Sequence, residues 1–389
     1  MKNLRRILII SKRECGILIQ NPIYWFCMII FPVFVIFFFT SMLDEGQPTD
    51  MPIGVVDLDN TTTTRAMLRN LDAYQTTHIA EYYNSVSEAR QAIQQNKIYA
   101  FFYLPKGTTA DLLASRQPKI SFYYSSVTLL AGGTLFRDLK TVSTLGSASV
   151  GAAKLSAIGK TEEEITAFLQ PITIDLHMIN NPWANYNVYL STIMIPGVIM
   201  LFIFLITAYS IGTELKFQRS RQWLQLANNR IWPAIIGKFL PHTLIFLSLM
   251  YLYDWYLFGH LGFPHPGGVG VMLLLGLLTV LSAQAFGIFI FGLMPSLRMS
   301  MSICSLWAMV GFSTSGATYP VFAMNPMIES LAQVFPLRHY YMIYQINLFN
   351  GYPLTDAWFN IMALCIFICL PIFTLKNIKK AMLQYVYIP

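Results

Sequence analysis

Residues 212–238 read GTELKFQRSRQWLQLANNRIWPAIIGK, and they decide how the rest of the chain is laid out. Long apolar runs flank them, 188–211 behind and 232–256 ahead. Within the stretch Lys216, Arg219, Arg221, Arg230 and Lys238 stand against a single acid, Glu214. A basic loop between two membrane spans belongs on the cytoplasmic side, because cationic loops resist translocation. That assignment fixes the side of every other loop. It also puts a short polar helix where a cytoplasmic partner can push on the spans. The plainer alternative is that the cations only set topology and touch lipid headgroups.

Composition agrees with a membrane protein. The chain has 389 residues, 55% of them hydrophobic and 12% charged, where soluble domains carry roughly twice that charged fraction. Several apolar runs are long enough to cross a bilayer. The net charge of +7 is not a nucleic-acid signal, because the cations cluster beside spans and do not alternate with base-stacking aromatics. Cys15, Cys27, Cys304, Cys365 and Cys369 all lie in or beside apolar runs. This excludes a disulfide framework in the polar segment and leaves no metal-ligand spacing. Cys365 and Cys369 share a helix face, a packing arrangement.

In chain order, residues 1–20 carry Lys2, Arg5, Arg6, Lys12 and Arg13, with Leu4, Ile7, Leu8, Ile10 and Ile17 near helical spacing. This predicts a cytoplasmic amphipathic helix at the membrane interface. Residues 21–43 form the first span, an uncleaved anchor, with Asp44, Glu45 and Asp50 following it outside. The polar segment 44–187 reads as a small α/β domain. Residues 51–60 form a strand and turn, 85–95 a helix opened by Ser85 with Glu88 three residues on, and 99–104 a buried strand. Residues 120–124 form a further strand, and 126–156 a long helix or a broken pair. A helix capped by Thr161 with Glu164 and an alternating strand at 172–179 complete the segment. Five more spans follow within 188–375, at 188–211, 232–256, 269–293, 299–318 and 357–375. Residues 319–356 are too apolar for a free loop, so interfacial or re-entrant helices are expected there. Lys376, Lys379 and Lys380 mark the tail 376–389 as cytoplasmic. The fold expected is a polytopic α-helical membrane protein with six transmembrane helices and an α/β extracytoplasmic domain after the first.

Little in the chain points to catalysis. There is no GxxxxGK[ST] loop, nucleophile elbow, HExxH or calcium loop. GSASVGAAK at 146–154 has glycines at a suggestive distance but lacks the Gly-Lys-Ser/Thr end, and it reads as helix. Asp57, Asp59 and Asn60 are read as a strand-end turn rather than a cation site. His78 near Glu81, and His177 near Asp175, lack the further ligands a metal needs. His242, His260, His265 and His339 have no carboxylate close by in sequence. Lys238 is expected to snorkel from the cytoplasmic end of its span, and Asp254 to be interfacial. Glu214 is expected either to bridge Arg219 or Arg221 or to receive force from a partner. The scarcity of acids at mid-depth argues against ion coupling and for energy delivered from outside the chain.

These landmarks resemble the type-2 ATP-binding-cassette exporter permeases, in the subgroup with a large external domain after the first span. The resemblance runs through IGVVDLDNTTTTRAMLRNL, NNPWANYNVYLSTIMIPG with Pro196–Gly197, Glu214, Gly237-Lys238 and Pro241. It continues in Ser315-Gly316, Pro320, Met324, Pro326 and FPLRHYYMIYQ at 335–345. One departure is plain: where the family usually has a doubled Arg-Glu and then Gly-Thr, this chain has ELKFQRSRQWLQL. The resemblance implies a membrane subunit of a bacterial cytoplasmic (inner) membrane exporter, with both termini cytoplasmic. It would work as a dimer, homomeric or heteromeric, with separate cytoplasmic ATPase subunits. ATP and Mg would bind the ATPase, and no cofactor this chain. Glu214, Arg219, Arg221, Trp223 and Leu224 would form the coupling element. Pro320, Pro336 and Tyr340 would lie on outer helices capping the exit for an amphiphilic, drug-like or lipid-like substrate. A periplasmic adaptor docking on the external domain is a further expectation. The rival reading is a non-transporting scaffold or sensor whose external domain binds a ligand.

Overall fold

The computed structural model describes residues 2–114, 116–127, 129–173, 175, 177, 181 and 184–384. The chain divides into a helical unit, Met1–Asp44 with Ile179–Pro389, and an inserted unit, Glu45–Met178.

The helical unit opens with α1, Lys2–Gln20. Leu4 and Leu8 are exposed, whereas Ile10, Ser11, Glu14 and Leu18 are buried, at the three- and four-residue steps of one helix face. Asn21 ends α1 and caps the next helix, accepting from Ile23 N at 3.0 Å, with Pro22 at the first helical position. That helix, α2, spans Pro22–Met42 and holds a π-helical turn, Phe26–Ile30, just before Pro32, which has no N–H to give.

The inserted unit is the α/β domain expected. Its strands are β1 Met51–Asp57, β2 Thr77–Tyr82, β3 Ala100–Leu104 and β4 Ser121–Tyr124, in the order β2-β1-β3-β4. β1 is parallel to β2 and β3, and β4 is antiparallel to β3. Helices α3 Thr62–Asp72, α4 Val86–Gln94, α5 Thr108–Leu113, α6 Leu129–Ala157 and α7 Glu162–Leu169 complete it. Ala131, Leu135, Leu139 and Val142 of α6 share a core with Ile53, Val55 and Phe102 of the sheet. The region 126–156 is thus one helix rather than two. Ser85 caps α4 through Glu88 N at 3.2 Å, and Thr161 with Glu164 forms a complete capping box on α7. Half of the strand expected at 172–179 falls outside the described residues, and the described members Ile172, Thr173, Asp175 and His177 are in no strand.

Back in the helical unit, α8 is Tyr186–Lys216, capped by Asn185, which accepts from Asn187 N at 2.8 Å. Asn187 in turn donates to Thr40 O at 3.1 Å and ties α8 to α2. A short helix α9, Ser220–Leu226, leads into α10, Ile231–His260. α11, Gly268–Leu293, is the most buried long helix and packs on α8, α10 and the last helix. α12 is Leu297–Ser313, α13 Pro326–Ala332, α14 Pro336–Ile343 and α15 Leu354–Gln384.

Among the described residues five helices are long and apolar enough to cross a membrane: α2, α8, α10, α11 and α15. The span expected at 299–318 is occupied by α12, whose 17 residues rise roughly 26 Å against a hydrocarbon core of about 30 Å. The chain leaves that helix at Thr314 and turns at Gly316, whose φ of +97° suits only glycine without strain. Segment 319–356 forms short helices, α13 and α14 among them. Leu337, Tyr340 and Tyr344 lie in the same core as Ile199 of α8 and Phe286 of α11.

Candidate functional site

Four helices meet at a buried cluster of charge. α1 contributes Arg13 and Glu14, α8 contributes Glu214 and Ser210, and α10 contributes Lys238 and, one turn on, His242. α9 lies against them through Trp223. The close approach of α1 to α10 depends on Gly237. A Cβ there would come within 2.9 Å of Ile7 O and of Ile10 Cβ. Ser11 Oγ donates to Gly237 O at 2.8 Å across the same contact.

The geometry is that of a closed ionic network. Lys238 Nζ lies 2.9 Å from both carboxylate oxygens of Glu14 and 2.8 Å from Glu214 Oε1. Arg13 makes a fork to Glu214, with both bonds at 2.8 Å, the bidentate arrangement that only a guanidinium offers. Glu14 Oε1 also accepts from Ser210 Oγ at 3.0 Å and lies 3.1 Å from His242 Nε2. Glu14 and His242 are 0% exposed, and Glu214 and Lys238 are 1% exposed. Two carboxylates face two permanent cations, so the buried charge balances with His242 neutral. Charges this deep persist because each has a partner; removing one partner leaves an uncompensated ion that costs about 3–5 kcal/mol. Burial alone pushes the Glu14 carboxyl up, but Lys238 and the bond to His242 outweigh it and hold the group at about 2.

The sequence-predicted residues are arranged differently from expectation. Glu214 does not bridge Arg219 or Arg221 through its carboxylate; it pairs with Arg13 and Lys238. Arg219 reaches Glu214 only through its backbone N–H at 2.9 Å, and its guanidinium sits 4.9 Å from the Phe217 ring centre. Arg221 is exposed. Trp223 and Leu224 are buried; Trp223 Nε1 donates to Ala234 O at 3.3 Å, and its ring lies 5.5 Å from Lys238 Nζ. Lys238 does not snorkel, because α1 covers the route and supplies Glu14. Asp254 is buried rather than interfacial, and His242 does have a carboxylate partner, 228 residues away in sequence.

Pro320 is exposed, Pro336 opens α14, and Tyr340 is buried with its hydroxyl donating to Thr192 O at 3.3 Å. In the inserted unit Asp57 accepts from Asp59 N and Asn60 N, and Asp59 from Gly107 N and Thr109 N. The turn reading of that stretch holds. His78 lies 3.7 Å from Asp72, and His177 lies 2.9 Å from Asp175.

Two cluster residues, Arg13 and Glu14, were not singled out as site residues from the sequence. One signal was available: Glu14 is the only acid in residues 1–43, and it falls on the inward face with Ile10 and Leu18.

The model of the ABC-2 family transporter proteins matches residues 22–374. The chain belongs to this family. It is thus a multi-pass membrane permease of the ABC-2 type, a transport subunit rather than a catalyst, and family membership implies an ABC ATPase as its partner. A comparison with curated proteins gives no match. The matched segment holds Glu214, Lys238 and His242 of the permease, while Arg13 and Glu14 lie on α1, ahead of it.

Proposed function

We propose that this permease is the membrane subunit of an ATP-driven exporter that moves an amphiphilic, drug-like or lipid-like molecule outward. Its energy comes from a separate cytoplasmic ATPase that binds ATP and Mg. Two permease subunits, identical or different, form the pathway in a bacterial inner membrane, with both termini and the 212–238 loop cytoplasmic. The inserted unit is then extracytoplasmic and positioned to dock a periplasmic adaptor, and Pro320, Pro336 and Tyr340 belong to the exit.

The observation that carries this reading is the buried ionic cluster. It makes α1, the end of α8, α9 and the start of α10 one body, with no slack between a push on the loop and a movement of two spans. Lys216, Arg221 and Arg230 stand exposed on that body and are suited to an acidic docking surface. Glu214, Trp223 and Leu224 act from beneath: they hold the loop to the spans instead of touching the partner.

The test is co-purification of the full chain with its candidate ATPase in lipid nanodiscs, with ATP hydrolysis assayed. The double variant Arg219→Glu/Arg221→Glu should weaken binding by about tenfold or more and abolish stimulated hydrolysis, equivalent to at least ~1.4 kcal/mol. Full binding by the variant would move the contact away from the loop. Failure of every credible ATPase to bind the unaltered chain would overturn the exporter reading.

A further inference from the structure

The last helix ends on the body that carries the 212–238 loop. α15 runs for 31 residues, a rise of roughly 46 Å, against a hydrocarbon core of about 30 Å. Ile372 and Phe373, 54% and 78% exposed, are its last bare apolar pair and mark where it leaves lipid. Beyond them one face stays covered. Leu375, Ile378, Ala381 and Met382 are buried, at three- and four-residue steps. Leu375, Ile378 and Met382 share a core with Ile10 of α1, Leu215 of α8, and Trp223 and Leu224 of α9. Gly292 of α11 permits the approach: a Cβ there would overlap Thr374 Cβ and come within 3.1 Å of Ile378 Cγ1.

The bare face is mostly polar. Lys376, Asn377, Lys380, Leu383 and Gln384 are exposed on it. The exposed face of α1 differs: Leu4, Leu8 and Ile19 stand there among Arg5 and Lys12, the mixture that suits a headgroup layer. From Phe373 to Lys380 the helix rises roughly 10 Å, past a headgroup layer of roughly 5–8 Å. Lys376 and Lys380 have no ion pair among the described residues, and neither have Lys216, Arg221 and Arg230. Segments 1–43, 188–250 and 371–384 hold two acidic side chains, Glu14 and Glu214, and both are closed on Arg13 and Lys238. A fixed counter-charge for Lys376 and Lys380 therefore comes from another molecule, and one that stands beyond the headgroups is a protein.

We infer that residues 376–384 are a second docking element for the ABC ATPase, with Lys376 and Lys380 meeting carboxylates on its surface. The inference rests on the reading above that a cytoplasmic ATPase drives this permease. Its consequence is that a push from the partner reaches α15, and α11 through the Gly292 contact, as well as α8 and α10.

The experiment measures binding of the purified candidate ATPase to the full chain in phosphatidylcholine nanodiscs. Lys376→Glu/Lys380→Glu should weaken binding by about tenfold, mostly through slower association, and the loss should shrink as salt is raised. Lys376→Arg/Lys380→Arg should bind as the parent does. The melting midpoint of the permease alone should be the same in all three, since both lysines are exposed. Zero-length carbodiimide coupling of the parent complex should join Lys376 or Lys380 to a carboxylate of the ATPase. Full binding by the Glu variant, in a preparation where Arg219→Glu/Arg221→Glu binds weakly, overturns this inference and leaves the exporter reading standing. So does a Glu variant whose only change is a lower melting midpoint in phosphatidylglycerol discs, which would assign the lysines to lipid. Failure of the unaltered chain to bind any credible ATPase overturns the exporter reading, and this inference with it.

Discussion

Lys238 and Asp254 lie on the same helix, α10, and both are buried, yet their surroundings are opposites. Lys238 has two carboxylates within 2.9 Å, and those carboxylates have Arg13, Ser210 and His242 as further partners. Asp254 Oδ2 has no hydrogen-bond partner among the described residues. A buried ion in a closed network is a clamp, because any movement that separates its members exposes uncompensated charge. A buried carboxyl with an orphan oxygen holds nothing in place, and it costs free energy where it stands. The difference teaches which end of α10 is a rigid joint. The start of the helix is bound to α1 and α8 by charge, whereas its far end is held by packing of rings such as Tyr253, Tyr340 and Tyr344.

The largest effect should come from opening the clamp. Lys238→Met leaves Glu14 and Glu214 buried beside each other, with Arg13 alone to serve both. It should cost about 3–5 kcal/mol, read as a large drop in thermal stability of the purified permease. An unchanged midpoint would mean that the cluster is not the joint. Gly237→Ala should come next, at about 1–3 kcal/mol, because the new methyl meets Ile7 O, a backbone atom that cannot step aside. Limited proteolysis should then cut between α1 and α2 faster than in the parent. Asp254→Asn sharpens the contrast from the other side. It replaces an unpartnered carboxyl oxygen with an amide of the same shape and should leave thermal stability equal or slightly raised, where the equivalent change at Glu14 lowers it. A clear loss at Asp254 would erase the distinction between the two sites.

The smallest expected effect is that of pH. The folded Glu14 carboxyl is held at about 2, below its ordinary 4.5, so its contribution is fully present above 4.5. It is lost only as pH falls from 4.5 through about 2. Stability owed to Glu14 should therefore be flat between pH 5 and pH 8, checked by melting curves of the parent and of Glu14→Gln across that range. A gap between the two that closes near neutral pH would contradict the pairing.

Much of this was readable from the residues. The apolar runs locate α2, α8, α10, α11 and α15, and the capping pairs at Ser85 and Thr161 locate α4 and α7, because these signals are local. What the sequence conceals is contact at a distance. Arg13 and Glu214 are 201 residues apart, and no periodicity relates them. Judged from its own helix alone, Lys238 is a cation near a span end with water within reach. Only the fold shows that α1 lies across that route. Arg219 and Arg221, the neighbours that proximity offers to Glu214, sit on the next short helix and its cap, which turns their side chains away from a carboxylate already engaged. The length of α12 is also set by the fold, since the chain turns out at Thr314 before the apolar run is used up.

The contact between Glu14 and Lys238 also has a consequence in time. A chain is made from its amino terminus, and 224 residues separate these two partners. At about 5–20 residues per second, Glu14 waits roughly 10–45 s after its own synthesis before Lys238 exists to meet it. During that interval α8 arrives first, bringing Ser210 to Glu14 and Glu214 to Arg13, while Glu14 still lacks its ammonium partner. The joint is therefore closed late, by the arrival of the third apolar segment. A ribosome stalled before Ser210 would leave a nascent chain with its first helix unlatched, open to a quality-control protease.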